Sequence, residues 1–191
     1  MLTCLTIWIE CVQLWFRKLP AMTDSTFPLH YLLNEINKAA TSGLPFLAVA
    51  MAVALPDICV SLASQDGQSN GIRYRQWCKV NLGPRISYVT SDDLWSIRCG
   101  VLHNGRFGEL KHGVAKVIFM PSCDSTFTNS RIGDVYVYSI VEFCKNFIKT
   151  VEEWFEKNKN DATVQSNLPR LIRWHPNGIA PYVTGSPVVS F

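Results

Sequence analysis

Arg98 and His103 are the residues of this chain whose types and spacing most directly suggest chemistry. They stand five apart in the stretch from Thr90 to Arg106, TSDDLWSIRCGVLHNGR. A guanidinium cannot shed its charge, so an arginine on an apolar helix face must pair with a carboxylate or face a place where an anion binds. An imidazole titrates near neutrality and can take or give a proton at ordinary pH. Together the two offer a fixed cation and a titratable ring. Placed at roughly 100° per residue around a helix, Arg98 falls in the middle of an apolar arc of Ile97, Val101, Leu94, Leu102 and Trp95. The same arithmetic sets His103 about 140° away from it. The pair is therefore expected to meet at the helix edge or across a symmetric contact between two copies.

The element that must position them reads as one helix from about Ser91 to Asn104. Thr90 with Asp93 three residues on is an acidic variant of a capping box, Asp92 and Asp93 suit the positive helix end, and Asn104-Gly105 supplies residues that readily adopt the left-handed closing conformation. Asp57 is the lone acid in the apolar run from Leu44 to Ala63. Each of Asp57 and Arg98 would be costly to bury alone, so they are read as a structural pair. That pairing is the structural account of Arg98, set beside the catalytic one.

The 191 residues, 48% hydrophobic and 17% charged, suit one sizeable core, and a net charge of +3 neither announces nor opposes a nucleic-acid binder. The seven cysteines are odd in number and mostly lie in apolar runs, a pattern that fits a reducing cytoplasm better than a disulfide framework. Cys99 and His103 share a helix, but two ligands without evident partners do not make a metal site, so no metal is expected. A Gly-rich phosphate loop, a Gly-x-Ser-x-Gly elbow and a His-Glu-x-x-His helix are all missing from the sequence. This argues against the common nucleotide hydrolases, esterases and metalloproteases, and no cofactor is expected.

Residues 1–21 are apolar but interrupted by Glu10 and Gln13, shorter than a span needs and without a signal-peptide pattern. They are expected to be an amphipathic N-terminal extension without stable membrane insertion, either docking on a surface or adding nothing to the fold. Residues 22–160 are expected to form a helical domain and 161–191 an irregular tail, or terminal hairpin, packed on it. Within the domain, helices are expected over His30–Ala40, Leu44–Ala63 (kinked or divided at Pro56) and Ile140–Lys157. Gln65–Ile72 reads as an exposed loop. Arg73–Val80 mixes three basic residues with Tyr74 and Trp77. The mixture suits an RNA-binding face with Arg73 and Arg75 as contacts, or else a core stripe of Tyr74, Trp77 and Cys78 whose bases reach into water. Val114–Met120 and Val135–Ser139 read as an antiparallel hairpin across the polar loop Pro121–Asp134, and Lys157–Gln165 as a polar linker. The fold class is thus mainly α, a helical bundle with a small antiparallel β-hairpin inserted before the last long helix.

The segment Arg98-Cys99-Gly100-Val101-Leu102-His103 resembles the Arg-x4-His motif of HEPN domains, helical bundles found in many prokaryotic ribonucleases of defence and toxin systems. The wider pattern of Pro56-Asp57-Ile58-Cys59, Arg73-Tyr74-x-x-Trp77, Leu94-x-x-x-Arg98-Cys99 and Leu102-His103-x-Gly105 looks like a group of small uncharacterised bacterial proteins, over about residues 28 to 157. The HEPN resemblance implies a cytoplasmic homodimer acting on RNA, with an antitoxin or defence-system partner. It implies metal-independent endoribonuclease chemistry at a composite site between protomers, in which a 2′-hydroxyl attacks the neighbouring phosphorus. Arg98 would then hold the phosphate, His103 move a proton and Asn104 orient the substrate. Cys99 stands where many active members carry a polar residue. The alternative is a noncatalytic helical interaction or nucleotide-binding module, and access to Arg98 discriminates between the two.

Overall fold

The computed structural model describes residues 27–108, 116–121 and 129–190. The expected extension over 1–21, the beginning of the Val114 strand and the centre of the polar loop lie outside them. The chain divides into two compact units, Met1–His30 and Tyr31–Phe191, and helix α1 (His30–Thr41) opens at their boundary. Helices α2 (Pro45–Leu62), α3 (Gly71–Trp77), α4 (Ser91–Cys99) and α5 (Ile140–Asn158) make up the mainly helical body, followed by a short α6 (Ala162–Asn167).

The core forms where α2 meets α5, the most extensive helix pairing among the described residues. Helix α5 places Phe143, Phe147, Val151, Trp154 and Phe155 at i, i+3/i+4 spacing, and all are buried. Full burial of such a side chain contributes about 2 kcal/mol. Helix α2 is apolar almost all round, and its length and apolarity would suit a membrane span, but most of its residues are buried against the rest of the protein. It runs as one helix through Pro56, which does not divide it. Proline removes the N–H that would bond the Ala52 carbonyl. At the next carbonyl, Val53 O accepts the hydroxyl of the buried Tyr74 at 2.8 Å, so α3 fastens the backbone beside the break. Ala52, Val53 and Leu55 are fully buried, so packing on several sides supports the helix where the proline weakens it.

The sheet before α5 differs from the expected hairpin. Strand β1 (Lys116–Met120) pairs with β3 (Val135–Ser139) in parallel, in register Val117 to Tyr136 and Phe119 to Tyr138. The antiparallel partner of β3 is β2 (Ser130–Ile132), which lies inside the supposed loop. The stretch after β1 is long enough for the crossover that parallel strands require. The tight turn lies instead at Gly133-Asp134, where Gly133 has φ +60°, the positive value that two-residue hairpin turns favour. Strand β3 runs directly into α5, whose first turn is capped by the Ser139 hydroxyl accepting from Glu142 N.

Past α5, the expected polar linker Lys157–Gln165 gives way to α6 from Ala162. Asp161 caps it, accepting from Thr163 N and Val164 N. Asn167 at its end donates from Nδ2 to the carbonyls of Leu62 (3.1 Å) and Ser64 (2.9 Å), filling carbonyls left open where α2 stops. The tail then makes two small antiparallel pairs, β4 (Arg173–His175) with β7 (Val188–Ser190) and β5 (Gly178–Ile179) with β6 (Val183–Thr184). Trp174 lies flat on Tyr31 of α1, with ring centroids 5.7 Å apart.

Candidate functional site

The site begins in α2 with Asp57. Its Oδ2 accepts Arg98 Nε at 2.7 Å, and the two side chains are 17% and 20% exposed. The other carboxylate oxygen, Oδ1, accepts the Ser69 hydroxyl at 2.6 Å. Ser69 comes from the loop before α3, and that loop is stapled. Arg73 Nη1 donates to Asp66 Oδ1 at 2.8 Å and to the Gln68 carbonyl at 2.9 Å, while Asn70 caps α3 by accepting from Ile72 N and Arg73 N. A loop that the sequence shows as turn formers therefore orients the carboxylate that orients the arginine.

The Arg98 guanidinium also lies over the Trp95 ring, 5.0 Å from its centroid, with Arg75 at 5.6 Å from the same ring. Each such cation–π contact stabilises by roughly 0.5–1 kcal/mol or more. Gly71 lets the start of α3 approach the Trp95 edge, where a Cβ would lie 2.9 Å from a ring carbon. Burial works against the charge on Arg98, but the hydrogen bond and charge of Asp57 outweigh it and hold the pKa above the ordinary arginine value. Arg98 is thus a fixed, permanently charged donor.

His103 reaches Arg98 through a change in helix type. Helix α4 starts with a complete capping box, Thr90 Oγ1 accepting Asp93 N while Asp93 Oδ2 accepts Thr90 N at 3.0 Å. After Cys99 the helix widens into a π turn over Gly100–Asn104 and ends at Gly105, which has φ +63°. A π turn closes i→i+5 hydrogen bonds, so residues five apart come back toward one face instead of diverging as in an α-helix. Arg98 Nη1 and His103 Nε2 accordingly lie 3.1 Å apart within one chain. Arginine has no acceptor, so this approach is a hydrogen bond when Nε2 accepts it, in the tautomer that carries its proton on Nδ1. Gly100 is the pivot. Arg106 N bonds its carbonyl at 3.1 Å, and the returning Arg106–Gly108 backbone occupies the space where a Cβ would stand.

The array runs Ser69–Asp57–Arg98–His103, from a stapled loop through two helices to the exposed ring of His103. Asn104 is exposed beside it at the end of the same turn. The other two basic candidates are engaged elsewhere. Arg73 holds the Ser69 loop, and Arg75 Nε pairs with Asp92 Oδ1 at 3.1 Å while it covers Trp95. Tyr74, Trp77 and Cys78 are core residues. The buried thiols of Cys59 and Cys78 are pushed up well above the ordinary value by burial, and that of Cys144 to about 12, which makes them poor nucleophiles. Among the described residues, no cluster of three His, Cys, Asp or Glu side chains is arranged to hold a metal ion. Sequence reasoning misses Ser69 and the role of Trp95. A serine two residues after a turn glycine carries no signal of its own, and Trp95 reads as one more member of the core arc. No family model, curated protein or solved structure matches the chain.

Proposed function

We propose that this protein is an endoribonuclease of the HEPN type, with Arg98 and His103 at the cleavage site and Asp57 as the residue that positions Arg98. The observation that carries this reading is the 3.1 Å approach of Arg98 Nη1 to His103 Nε2 at an exposed helix end, with Asp57 fixing the far side of the guanidinium. A purely structural arginine needs Asp57 and Trp95 but has no use for an exposed imidazole on its outer nitrogen.

A phosphate entering this end takes the donor that His103 accepts in the free protein, and the Nε2 lone pair becomes available. His103 then removes the proton of the ribose 2′-hydroxyl, the 2′-oxygen forms a bond to phosphorus, and the P–O5′ bond breaks. The products are a 2′,3′-cyclic phosphate and a 5′-hydroxyl once the leaving oxygen has gained a proton. Arg98 stabilises the charge that builds on the phosphoryl oxygens. Each chain brings one imidazole to the Arg98 guanidinium among the described residues. A second copy facing the first across a two-fold axis supplies the acid for the leaving oxygen. Positive charge comes from Arg98 and proton transfer from histidine, so the steps need no metal.

A second reading, a noncatalytic nucleotide-binding or interaction module, draws support from one fact: Asp57 and Trp95 already give Arg98 a structural explanation. Labelled RNA incubated with purified protein in excess EDTA separates the two. Cyclic phosphate and 5′-hydroxyl ends, lost when the RNA is 2′-O-methylated, support the nuclease. RNA binding without cleavage supports the module.

A further inference from the structure

Directly after the π turn, the chain forms one wall of a cavity of about 520 Å³, within the range typical of small-ligand sites. Phe46, Val49, Val101, Arg106, Phe107 and Phe119 line it, and no carboxylate among the described residues does. Two features distinguish it from an ordinary surface dent. The first is a ladder of rings rising out of the core: Phe147 against Phe143 (4.8 Å between centroids), Phe143 against Phe119 (4.9 Å) and Phe119 against Phe107 (5.3 Å). Its top rung, Phe107, is 42% exposed, and Phe46, also in the lining, is 56% exposed. Phe107 is therefore an aromatic surface held in place from below yet open to solvent. The second is Arg106, an exposed cation at the rim that makes no ion pair among the described residues.

We infer that this cavity takes an unstacked nucleobase of the RNA next to the scissile phosphate, with Phe107 and Phe46 as stacking surfaces and Arg106 on the adjoining phosphate. The inference rests on the ribonuclease reading and extends it to substrate selection. Rings with a nearby cation are the means by which proteins hold single-stranded bases. Gly105 and Arg106 in its lining follow His103-Asn104 directly in the chain, and the proposed strand runs from the phosphate at Arg98 to this wall. Apart from Arg106, which is given to the phosphate, the described lining offers rings and alkyl groups rather than side-chain amides or carboxylates, so it grades bases by stacking strength more than by their hydrogen-bonding edges. Purines are held more tightly than pyrimidines, and the preference is otherwise tolerant of sequence.

The test measures binding without reaction. Short fluorescent 2′-O-methyl oligonucleotides, which have no attacking hydroxyl, are titrated as oligo-A, oligo-U and an abasic strand into the full chain and into Phe107→Ala and Phe46→Ala variants. The wild-type protein should bind oligo-A about tenfold or more tightly than the abasic strand, with oligo-U between them, and each variant should lose most of that difference. If Phe107→Ala fails to fold, the exposed Phe46 carries the test. Equal binding of oligo-A and the abasic strand by the wild-type protein overturns the inference. So does a variant that keeps the full preference, or one that loses it only by falling from dimer to monomer, since a second copy would then be covering the rings. Cleavage of unmodified RNA is followed in parallel. Base-dependent binding without cleavage sinks the nuclease reading and leaves the stacking pocket standing, whereas cleavage without base dependence does the reverse.

Discussion

The π turn over Cys78–Leu82 closes with Gly83 N on the Cys78 carbonyl at 2.9 Å, and the one over Gly100–Asn104 closes in the same way with Gly105 N on the Gly100 carbonyl. Both follow a short α-helix and both end at a glycine. The first buries Cys78 and Leu82 in the core beside Trp77, whose ring meets Trp154 of α5, and shows Lys79 and Val80 to water. The second buries Gly100 and Val101 and turns Leu102, His103 and Asn104 outward. The widened turn does the same thing to the backbone in each case, drawing together residues five apart. In the proposed cleavage site, a fixed guanidinium stands at one end of that interval and an imidazole at the other.

The largest way to break this comparison is to fill the pivot. Gly100→Ala puts a Cβ against the Arg106 carbonyl and the backbone of Phe107 and Gly108, none of which can rotate away. It should destabilise by roughly 3 kcal/mol, the upper part of the overpacking range, and separate His103 from Arg98. At Gly83 the nearest obstruction is the Lys79 carbonyl of the same turn, 2.8 Å from where a Cβ would stand, and Gly83→Ala should cost clearly less in the same thermal melts. Equal costs would show that the two turns are equally constrained and remove the special place given to Gly100.

Next in size is Asp57→Ala, which leaves Arg98 charged and without its main partner. Removing one member of a fully buried pair costs about 3–5 kcal/mol. With both side chains still about a fifth exposed, solvent screening lowers the expectation to about 2 kcal/mol. A denaturation midpoint left in place by Asp57→Ala would show that the pair contributes nothing to folding.

The surface pair Asp66–Arg73 gives the smallest effect and a pH signature. The Arg73 hydrogen bond, helped by Gln68 N, holds the Asp66 carboxyl below its ordinary value of 3.8. A depressed carboxyl stabilises the fold above its unfolded-state pKa and loses that contribution as pH falls through the lower folded-state value. The melting difference between wild type and Arg73→Gln should therefore be small at neutral pH and shrink further in acid below about 4. A difference that grows on acidification contradicts the assignment.

What the sequence reveals divides along the same line as the two turns. The Thr90–Asp93 cap, the Gly105 closure and the α5 stripe are legible because each is local, set by residue types within a turn or two. The Asp57–Arg98 partnership is legible at long range because an apolar run leaves a charge few choices. The π turns are not, since no residue type announces a change from i→i+4 to i→i+5 bonding. For this reason regular helical spacing puts His103 about 140° from Arg98 and leaves open whether the two meet at the helix edge or between two copies. Parallel pairing of β1 with β3 is hidden as well. Two β-branched runs look the same in either direction, and the short Ser130–Ile132 strand that fills the antiparallel place is too polar to stand out. Ser69 and Asn167 act through hydrogen bonds to distant backbone or carboxylate atoms, which spacing cannot show.

The central claim is that His103 acts as the proton-transfer group of an RNA-cleaving site, and His103→Ala tests it most directly. The exposed ring carries little packing, so the variant should melt within a few degrees of wild type and keep its oligomeric state. RNA cleavage in excess EDTA should fall by about 10²–10⁴-fold, the usual contribution of general acid–base catalysis. Cleavage by the variant at the wild-type rate would contradict the account, and so would a wild-type protein that leaves RNA intact.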